Sequence, residues 1–366
     1  MSSKKDNFNL IEESFMKIAI NLANLNNGFT GPNPSVGCVV VKDKKIVSYG
    51  TTKINGRPHA ESIALNYNRK NLKKSDMYIT LEPCSHYGKT PPCTDKIIKS
   101  KIKKVVYSIN DYDLRSSKKS KVKLNSKGIN VKTGLLENKV KKIYKKYIYS
   151  KKKNLPYTVG KLACSVDYFI LNNKNYITNK FSRNVTHLLR SKNQAILTSY
   201  KTINNDNPKM NCRISGLENL SPIRIVLDRN LNIKLDTFLV KTSNNIKTYI
   251  YHNSPNKSKI NKLKSKGVIL IKSKVINNCF LDIKELLKDI YKKGIHSVLV
   301  ECGKTLTLQM LREDLINEFY LFIGDKKIKN KKKINVLSVK NILNAKYKNK
   351  NLINRYLEND KLTHYS

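Results

Sequence analysis

Long hydrophobic runs are missing from this chain of 366 residues. The most apolar stretches, such as residues 36–41, are far shorter than the roughly 20 residues that a membrane-spanning helix needs. The first residues lead into Glu12 and Glu13 and contain no apolar core of a signal peptide. We therefore expect a soluble, cytoplasmic protein with no membrane partner.

Acidic residues, arginine and tryptophan are also scarce. The chain has 26 acidic residues against 72 basic ones, and its formal net charge is +46. A nucleic-acid partner is one explanation, because lysine and arginine neutralise phosphates. However, only 10 basic residues are arginines, the lysines are spread along the whole chain, and tryptophan is absent. Arginine forks read base edges and aromatic rings stack on single strands, and neither forms a pattern here. We expect a solvated lysine surface and no nucleic-acid partner.

The cysteine count is odd, with seven residues. An odd count in a chain of this size, without a secretion signal, argues against a disulfide framework. Metal binding or simple burial is therefore the expected use of these thiols.

The length corresponds to two domains. Helical and strand-like segments alternate in the first half, at residues 9–26, 37–41, 45–49, 77–81 and from 93 onward. This alternation is typical of an α/β layer domain, which we place at residues 1–145. The lysine-rich segment 139–154 is predicted as a linker or a solvated helix.

A second α/β domain is predicted over residues 146–366. Its strand-like segments lie at residues 157–162, 195–198, 223–227, 247–251, 268–271, 297–300 and 319–323. No Gly-x-Gly-x-x-Gly follows any of these strands, so the pattern does not support a Rossmann dinucleotide fold.

One constellation in the first half indicates zinc chemistry. His59-Ala60-Glu61 is followed by Pro83-Cys84 and then by Cys93. One imidazole and two thiolates can hold a tetrahedral zinc and leave one position for water, whose pKa the metal lowers. Glu61 is not a ligand in this scheme, and it carries the proton from the water to the leaving amine. His-x-Glu with Pro-Cys is the signature of nucleobase deaminases.

The spacing of the two cysteines narrows the class of deaminase. Eight residues separate Cys84 from Cys93. In deaminases that edit tRNA or DNA, two residues separate the corresponding cysteines. Residues 80–93 (TLEPCSHYGKTPPC) and 32–39 (PNPSVGCV) closely resemble the deaminase half of the bifunctional riboflavin-biosynthesis deaminase/reductase family.

This resemblance implies a cytidine-deaminase-like three-layer fold for the first domain. The implied reaction is the zinc-dependent hydrolytic deamination of 2,5-diamino-6-(5-phosphoribosylamino)pyrimidin-4-one. It also implies that Asn33 contacts the base and that His86 and Lys89 lie near the phosphate. A cationic side chain on a loop bounded by proline suits that last role.

The resemblance continues through the second half in the expected order. It is carried by residues 161–167, 176–178, 189–197, 202–213, 224–228 and 298–303. It implies a dihydrofolate-reductase-like fold that uses NADPH to reduce the ribosyl group of the deaminated product to a ribityl chain. The protein then chiefly positions two anionic ligands against each other.

The resemblance also implies a set of site residues in the second half. The residues that would line the NADPH site are Ala163, Tyr176, Thr202, Asp206 and Gly303. Those that would contact the substrate are Arg190, Met210, Arg213 and Glu301, with the two arginines on its phosphate. Lys161 would lie near the reacting centre, and Lys174 aligns with a phosphate-contacting serine of the family.

The second half departs from the family pattern at several positions. Tyr168 and Phe169 replace a glycine and a basic residue, and Cys302 replaces a glycine. These changes leave open the alternative of a deaminase with a degenerate, non-catalytic reductase domain. A second alternative is a basic nucleic-acid-binding or editing deaminase. Family behaviour further implies a homo-oligomer.

Overall fold

A computed structural model describes residues 6–66, 72–88, 90–170, 176–276, 280–328, 334–353 and 357–366. The chain divides into two compact units, Met1–Asn154 and Leu155–Ser366. Within the described ranges, no helix is both long enough and apolar enough to cross a membrane.

The first unit is built from a sheet and short helices. Its strands are β1 (Gly37–Lys42), β2 (Lys45–Thr51), β3 (Asp76–Leu81), β4 (Lys104–Ile109) and β5 (Asn130–Thr133). Its helices are α1 (Leu10–Leu25), α2 (Ala60–Asn66), α3 (Cys93–Lys99), α4 (Lys119–Asn125), α5 (Glu137–Ile143) and α6 (Lys145–Lys153), with a 3-10 turn at Ile54–Gly56.

The sheet of the first unit has the order β2-β1-β3-β4-β5, antiparallel at β2-β1-β3 and parallel from β3 to β5. Two glycines show that helices pack on both faces. A β-carbon on Gly37 would lie 1.9 Å from the carbonyl of Ala19 in α1, and one on Gly50 would lie 2.2 Å from that of Ala60 in α2. Gly50 pairs with Cys38, the neighbour of Gly37, so the two glycines face opposite sides. The predicted three-layer fold is confirmed.

Helix α6 belongs to the first unit. Tyr147 and Lys151 of this helix bind Asp111 and Asp113 in the loop after β4, at 2.5 Å and 3.0 Å. Ser150 is fully buried. The segment predicted as a linker or a solvated helix is therefore helical and packed. The units meet at Asn154, nine residues after the predicted boundary.

The second unit carries the remaining elements. Its strands are β6 (Tyr157–Cys164), β7 (Phe169–Ile170), β8 (Ala195–Ser199), β9 (Ile223–Leu227), β10 (Thr248–His252), β11 (Ile269–Lys272), β12 (Val275–Ile276), β13 (Phe280–Leu281), β14 (Ser297–Val300), β15 (Glu318–Ile323), β16 (Ile334–Asn335), β17 (Lys350–Ile353) and β18 (Lys361–Tyr365). Its helices are α7 (Lys180–Ser191), α8 (Tyr200–Asp206), α9 (Phe238–Lys241), α10 (Lys257–Ser265), α11 (Ile283–Lys292), α12 (Lys304–Arg312) and α13 (Leu337–Lys346).

The main sheet of the second unit has the order β11-β10-β9-β8-β14-β6-β15-β18-β17. It is parallel from β11 to β15, and β18 and β17 run antiparallel at one edge. All seven strands predicted for this half are present, each within two residues of the predicted bounds. The short strands and the antiparallel edge were not predicted, because they lack long apolar stretches.

The turn after β6 shows why the family has glycine there. Tyr168 has a φ of +63°, in the left-handed region that favours glycine. The ammonium group of Lys340 lies 4.4 Å from the centre of the Tyr168 ring and also contacts its hydroxyl. A cation over an aromatic face offsets part of the cost of that backbone conformation.

Two candidate active sites

The predicted metal ligands come together in the first unit. His59 directly precedes α2, Cys84 follows β3, and Cys93 is the first residue of α3. The Nδ1 atom of His59 lies 3.7 Å from Cys84 Sγ and 3.4 Å from Cys93 Sγ, and the three ligand atoms all lie within 4.8 Å of one another. A tetrahedral zinc with ordinary Zn–S and Zn–N bonds separates sulfur from nitrogen by about 3.6 Å. One imidazole and two thiols at these distances therefore fit zinc.

Glu61 lies beside this cluster on the first turn of α2. The side chain is 3% exposed, and its Oε2 atom is buried without a hydrogen-bond partner among the described residues. Burial raises the pKa of this carboxyl, and the neighbouring thiol of Cys84 raises it further. A buried carboxylate oxygen without a partner is costly, so Oε2 of Glu61 is placed to accept a hydrogen bond from a bound ligand.

The two thiols of the cluster differ in acidity. Hydrogen bonding with Cys93 and His59 lowers the pKa of the Cys84 thiol to about 4, against the effect of burial. The hydrogen bond to Cys84, together with burial, raises the pKa of Cys93. Cys84 also raises the pKa of His59, and the charge of Arg57 lowers it. One easily formed thiolate is a suitable start for a metal site.

A buried carboxylate fixes the loop at the edge of this site. Glu82 accepts hydrogen bonds from the backbone nitrogens of Asp111, Lys118 and Ser120 at 2.9–3.1 Å and from the Ser120 hydroxyl at 2.9 Å. The same loop carries Ser116, whose Oγ lies 2.8 Å from Nδ1 of His86.

Sequence reasoning missed both Glu82 and Ser116. Glu82 directly precedes Pro83-Cys84, and that position was the available signal. Salt bridges from Arg115 and Lys151 to Asp113 also hold this loop.

The two other predicted residues of this site have different outcomes. Asn33 lies in the loop before β1 and donates from Nδ2 to the carbonyl of Gly56 at 3.2 Å, so it is held close to the segment that leads to His59. Lys89 lies outside the described residues.

The second unit holds a cavity of about 870 Å³. This volume is at the upper end of the range for ligand sites. Every described residue of the second half that was predicted for NADPH or substrate lines this cavity, namely Lys161, Ala163, Tyr176, Arg190, Thr202, Asp206, Met210, Arg213, Glu301 and Gly303. Lys174 lies outside the described residues. The structure thus gathers these residues, and their individual roles remain predictions.

An ion cluster forms the polar side of this cavity. Arg190 donates from Nε and Nη2 to the two carboxylate oxygens of Glu301 at 2.7 Å and 3.0 Å, and Lys161 Nζ lies 3.7 Å from Glu301 Oε2. The cluster follows from strand pairing, because Val300 of β14 is in register with Gly160 of β6. Despite burial, the two cations lower the pKa of Glu301 to about 2. Burial lowers the pKa of Lys161.

Asn211 organises the neighbouring cations and was not predicted. Its carbonyl accepts from Arg190 Nη1 at 3.1 Å and lies 3.2 Å from Nδ1 of His187. Its side chain accepts from Arg213 at 3.0 Å. The preceding residue, Met210, is buried with a φ of +49°. Such strained backbone conformations cluster at ligand sites.

Cys302 and Gly303, which follow Glu301, have different surroundings. Cys302 is 6% exposed, and its thiol lies 3.3 Å from the hydroxyl of Thr307, so the side chain is buried against α12. Gly303 is the N-cap of α12, and a β-carbon built on it would meet nothing within 4 Å. The opening of this helix is therefore accessible to an anionic group, which the helix dipole favours.

Comparisons with known proteins agree with both sites. Residues 10–109 match the cytidine and deoxycytidylate deaminase zinc-binding region, and residues 156–328 match the RibD C-terminal domain. The riboflavin biosynthesis protein RibD of Aquifex aeolicus is 35% identical over 319 residues, which cover 86% of this chain and 87% of that protein. RibD of Escherichia coli K12 is 31% identical over 338 residues, with coverage of 86% and 88%. The chain belongs to the RibD family.

Solved RibD structures extend the agreement to the whole fold. Acinetobacter baumannii RibD superposes with a TM-score of 0.82 at 27% identity and covers 97% of this chain and 98% of its own. The diaminohydroxyphosphoribosylaminopyrimidine deaminase/5-amino-6-(5-phosphoribosylamino)uracil reductase of Thermotoga maritima has a TM-score of 0.78 at 30% identity, with the same coverage.

Membership of the RibD family settles the class of enzyme. The chain is a bifunctional deaminase and reductase of riboflavin biosynthesis, with a zinc-binding deaminase domain and a reductase domain of the NADPH-using type. The predicted family, fold class and cofactors are confirmed. Neither alternative, the degenerate reductase or the nucleic-acid deaminase, is favoured by these matches.

Proposed function

We propose that this chain deaminates 2,5-diamino-6-(5-phosphoribosylamino)pyrimidin-4-one in its first unit and reduces the ribosyl group of the product to a ribityl chain in its second. The single observation that carries the proposal is the convergence of His59, Cys84 and Cys93, with the buried, unpaired oxygen of Glu61 on the helix that follows His59. The name of the Thermotoga maritima relative supports both the substrate and the order of the steps.

In the deaminase site, His59, Cys84 and Cys93 would hold the zinc. When bound, zinc would supply a water of lowered pKa. Glu61 would accept a proton on its unpaired Oε2 atom and deliver it to the departing amine. The raised pKa of this carboxyl suits a group that must both accept and release a proton near neutral pH. Asn33 orients the pyrimidine.

The phosphate of the substrate lies beside His86 and Lys89. Ser116 holds Nδ1 of His86, so the hydroxyl can donate there and leave Nε2 as the donor to an anion. Glu82 fixes the loop of Ser116 and thereby positions His86.

In the reductase site, bound NADPH would be the source of the hydride that C1′ of the ribosyl group gains. The bond between C1′ and the ring oxygen breaks as the C1′–H bond forms, and the ring oxygen needs a proton. Lys161 is suited to deliver it, because burial lowers the pKa of its ammonium group. Glu301 holds Lys161 and Arg190 in place and contacts the substrate, together with Met210.

The remaining residues hold the two anionic ligands. Arg213 and the N–H groups of Arg190 that do not donate to Glu301 or Asn211 bind the substrate phosphate. The NADPH site is formed by Ala163, Tyr176, Thr202, Asp206 and Gly303, all of which line the cavity. The start of α12 at Gly303 receives a phosphate of the cofactor.

The same proposal includes the setting of the enzyme. The protein works as a homo-oligomer in the cytoplasm and has no nucleic-acid partner. Sedimentation of the purified chain, with and without added RNA, tests the oligomer and the missing partner together.

The experiment that tests the function is mass spectrometry of the product. The purified chain is mixed with the diaminopyrimidinone phosphate, zinc and NADPH. Replacement of the amine by oxygen together with two added hydrogens supports both steps. Replacement without added hydrogens contradicts the reductase half, and an unchanged substrate with zinc bound contradicts the choice of substrate.

A further inference from the structure

An arginine outside the predicted site residues lies at the edge of the deaminase site. Arg57 is half-buried and stands two residues before the zinc ligand His59.

The loop between the two cysteines receives this side chain. Arg57 donates from Nη1 to the hydroxyl of Thr90 at 2.6 Å. A β-carbon built on Gly88 would lie 3.7 Å from Arg57 Nη2 and 3.9 Å from His86 Nε2. The two nitrogens therefore flank one small space above Gly88, and the missing side chain keeps that space open.

The chemistry of this space is that of an anion site. Within the described parts of the chain, the one hydrogen bond of Arg57 goes to a neutral hydroxyl, and no carboxylate pairs with it. Arg115, in the same unit, instead makes a two-point bond to the carboxylate of Asp113. A guanidinium offers five N–H donors, so most of those on Arg57 are available to a ligand.

We propose that Arg57 is a further substrate-binding residue of the deaminase site and that it holds the 5-phosphate together with His86. The assignment rests on the proposed function, which places the phosphate beside His86. A guanidinium fork matches the oxygens of a phosphate, and such charge-assisted bonds are stronger than neutral ones.

The test pairs Arg57→Gln with two substrates, the phosphorylated diaminopyrimidinone and the same riboside without its phosphate. With the phosphorylated substrate, KM rises about ten- to a hundredfold, while kcat and zinc content stay within twofold of wild type. With the riboside, the variant and the wild type have the same kcat/KM, because the partner of Arg57 is missing. Arg57→Lys recovers part of the loss, since it restores charge without the fork.

The matched control is Lys53→Gln, which removes one positive charge from an exposed position in the same segment. This control variant has the same KM and kcat as the wild type with both substrates. Inorganic phosphate provides a second readout, because it inhibits deamination competitively in the wild type and its inhibition constant is at least tenfold higher in Arg57→Gln.

Two results overturn the assignment. An equal loss on both substrates shows that Arg57 supports the loop or the zinc ligands instead, and no loss on either shows an ordinary surface arginine. A wild-type chain that deaminates neither substrate contradicts the proposed function itself, which separates that failure from a failure of Arg57.

Discussion

The two active sites of this chain are assembled in different ways. In the first unit, the metal ligands and Glu61 lie within residues 59–93, at the starts of two helices and the end of one strand. In the second unit, the ion cluster joins Lys161, Arg190 and Glu301 from two neighbouring strands and a helix that are far apart in sequence. A site whose residues lie close together in sequence can be predicted from the residue types and their spacing. A site whose residues lie far apart in sequence can be predicted only when the order of the strands in the sheet is known.

The largest expected effect tests the first site alone. Glu61→Gln removes the proton carrier and keeps the three metal ligands, so deamination falls by about 10²–10⁴-fold while zinc stays bound. Reduction of supplied deaminated substrate is unchanged. Elemental analysis and the two separate assays measure this, with Glu137→Gln as the control at an exposed carboxylate of the same unit. Normal deamination by Glu61→Gln contradicts the mechanism.

The second effect is the mirror image in the other unit. Lys161→Gln lowers the reduction rate by about 10²-fold, because it removes the proton donor, and leaves deamination unchanged. The pair between Glu301 and Arg190 persists, so the unit stays folded. NADPH oxidation with the deaminated substrate measures the loss. The exposed Lys288→Gln is the control. An equal loss of both activities points to a folding defect.

A smaller effect concerns the departures of the second unit from its family. Lys340 contacts the ring and the hydroxyl of Tyr168, which has a left-handed backbone. Lys340→Met therefore lowers the free energy of unfolding by about 0.5–1 kcal/mol in the wild type and has almost no effect in Tyr168→Gly. Chemical denaturation of the four proteins checks this. Full NADPH oxidation by Tyr168→Gly is also expected, and a lost reductase activity there gives Tyr168 a catalytic role.

The last effect is on the pH dependence of stability. Burial and the nearby charges of Arg190 and Arg213 lower the pKa of His187 to about 4, below the value of about 6.5 in an unfolded chain. The unfolded state therefore binds more protons, and the second unit loses stability as the pH falls from 6.5 toward 4. His187→Gln removes part of this loss. Urea titrations at pH 7 and pH 5, monitored by pulsed hydrogen exchange, measure the free energy of unfolding of the second unit separately. If this free energy depends on pH in the same way in the variant and the wild type, His187 is not the group responsible.

The sequence allowed much of the first site to be predicted, because His59, Glu61, Cys84 and Cys93 have no other common use at that spacing. It also located the seven main strands of the second unit from their apolar runs. The supporting residues could not be predicted. Glu82 and Asn211 are ordinary polar residues in sequence, and only the folded loops bring backbone donors and cations to them.

The packing of the segment 139–154 was also not predicted from the sequence. The segment 139–154 is rich in lysine, yet Tyr144 lies fully buried within it and donates to the carbonyl of Ser35. The high lysine content suggested that the whole segment is exposed, because composition does not distinguish the buried side of a helix from its solvent-exposed side.

The central claim is that each unit performs its own step. The most direct test is a transfer of product between two variants, followed by mass spectrometry. The reactions are stopped when the wild type has just completed both steps. Within that time Lys161→Gln, given the diaminopyrimidinone phosphate and NADPH, should return mainly a product whose amine is replaced by oxygen and that has gained no hydrogens. Glu61→Gln should leave nearly all of the original substrate unchanged but add two hydrogens to that isolated product. Addition of hydrogens by Lys161→Gln at the wild-type rate, or failure of Glu61→Gln to reduce the transferred product, would contradict the account.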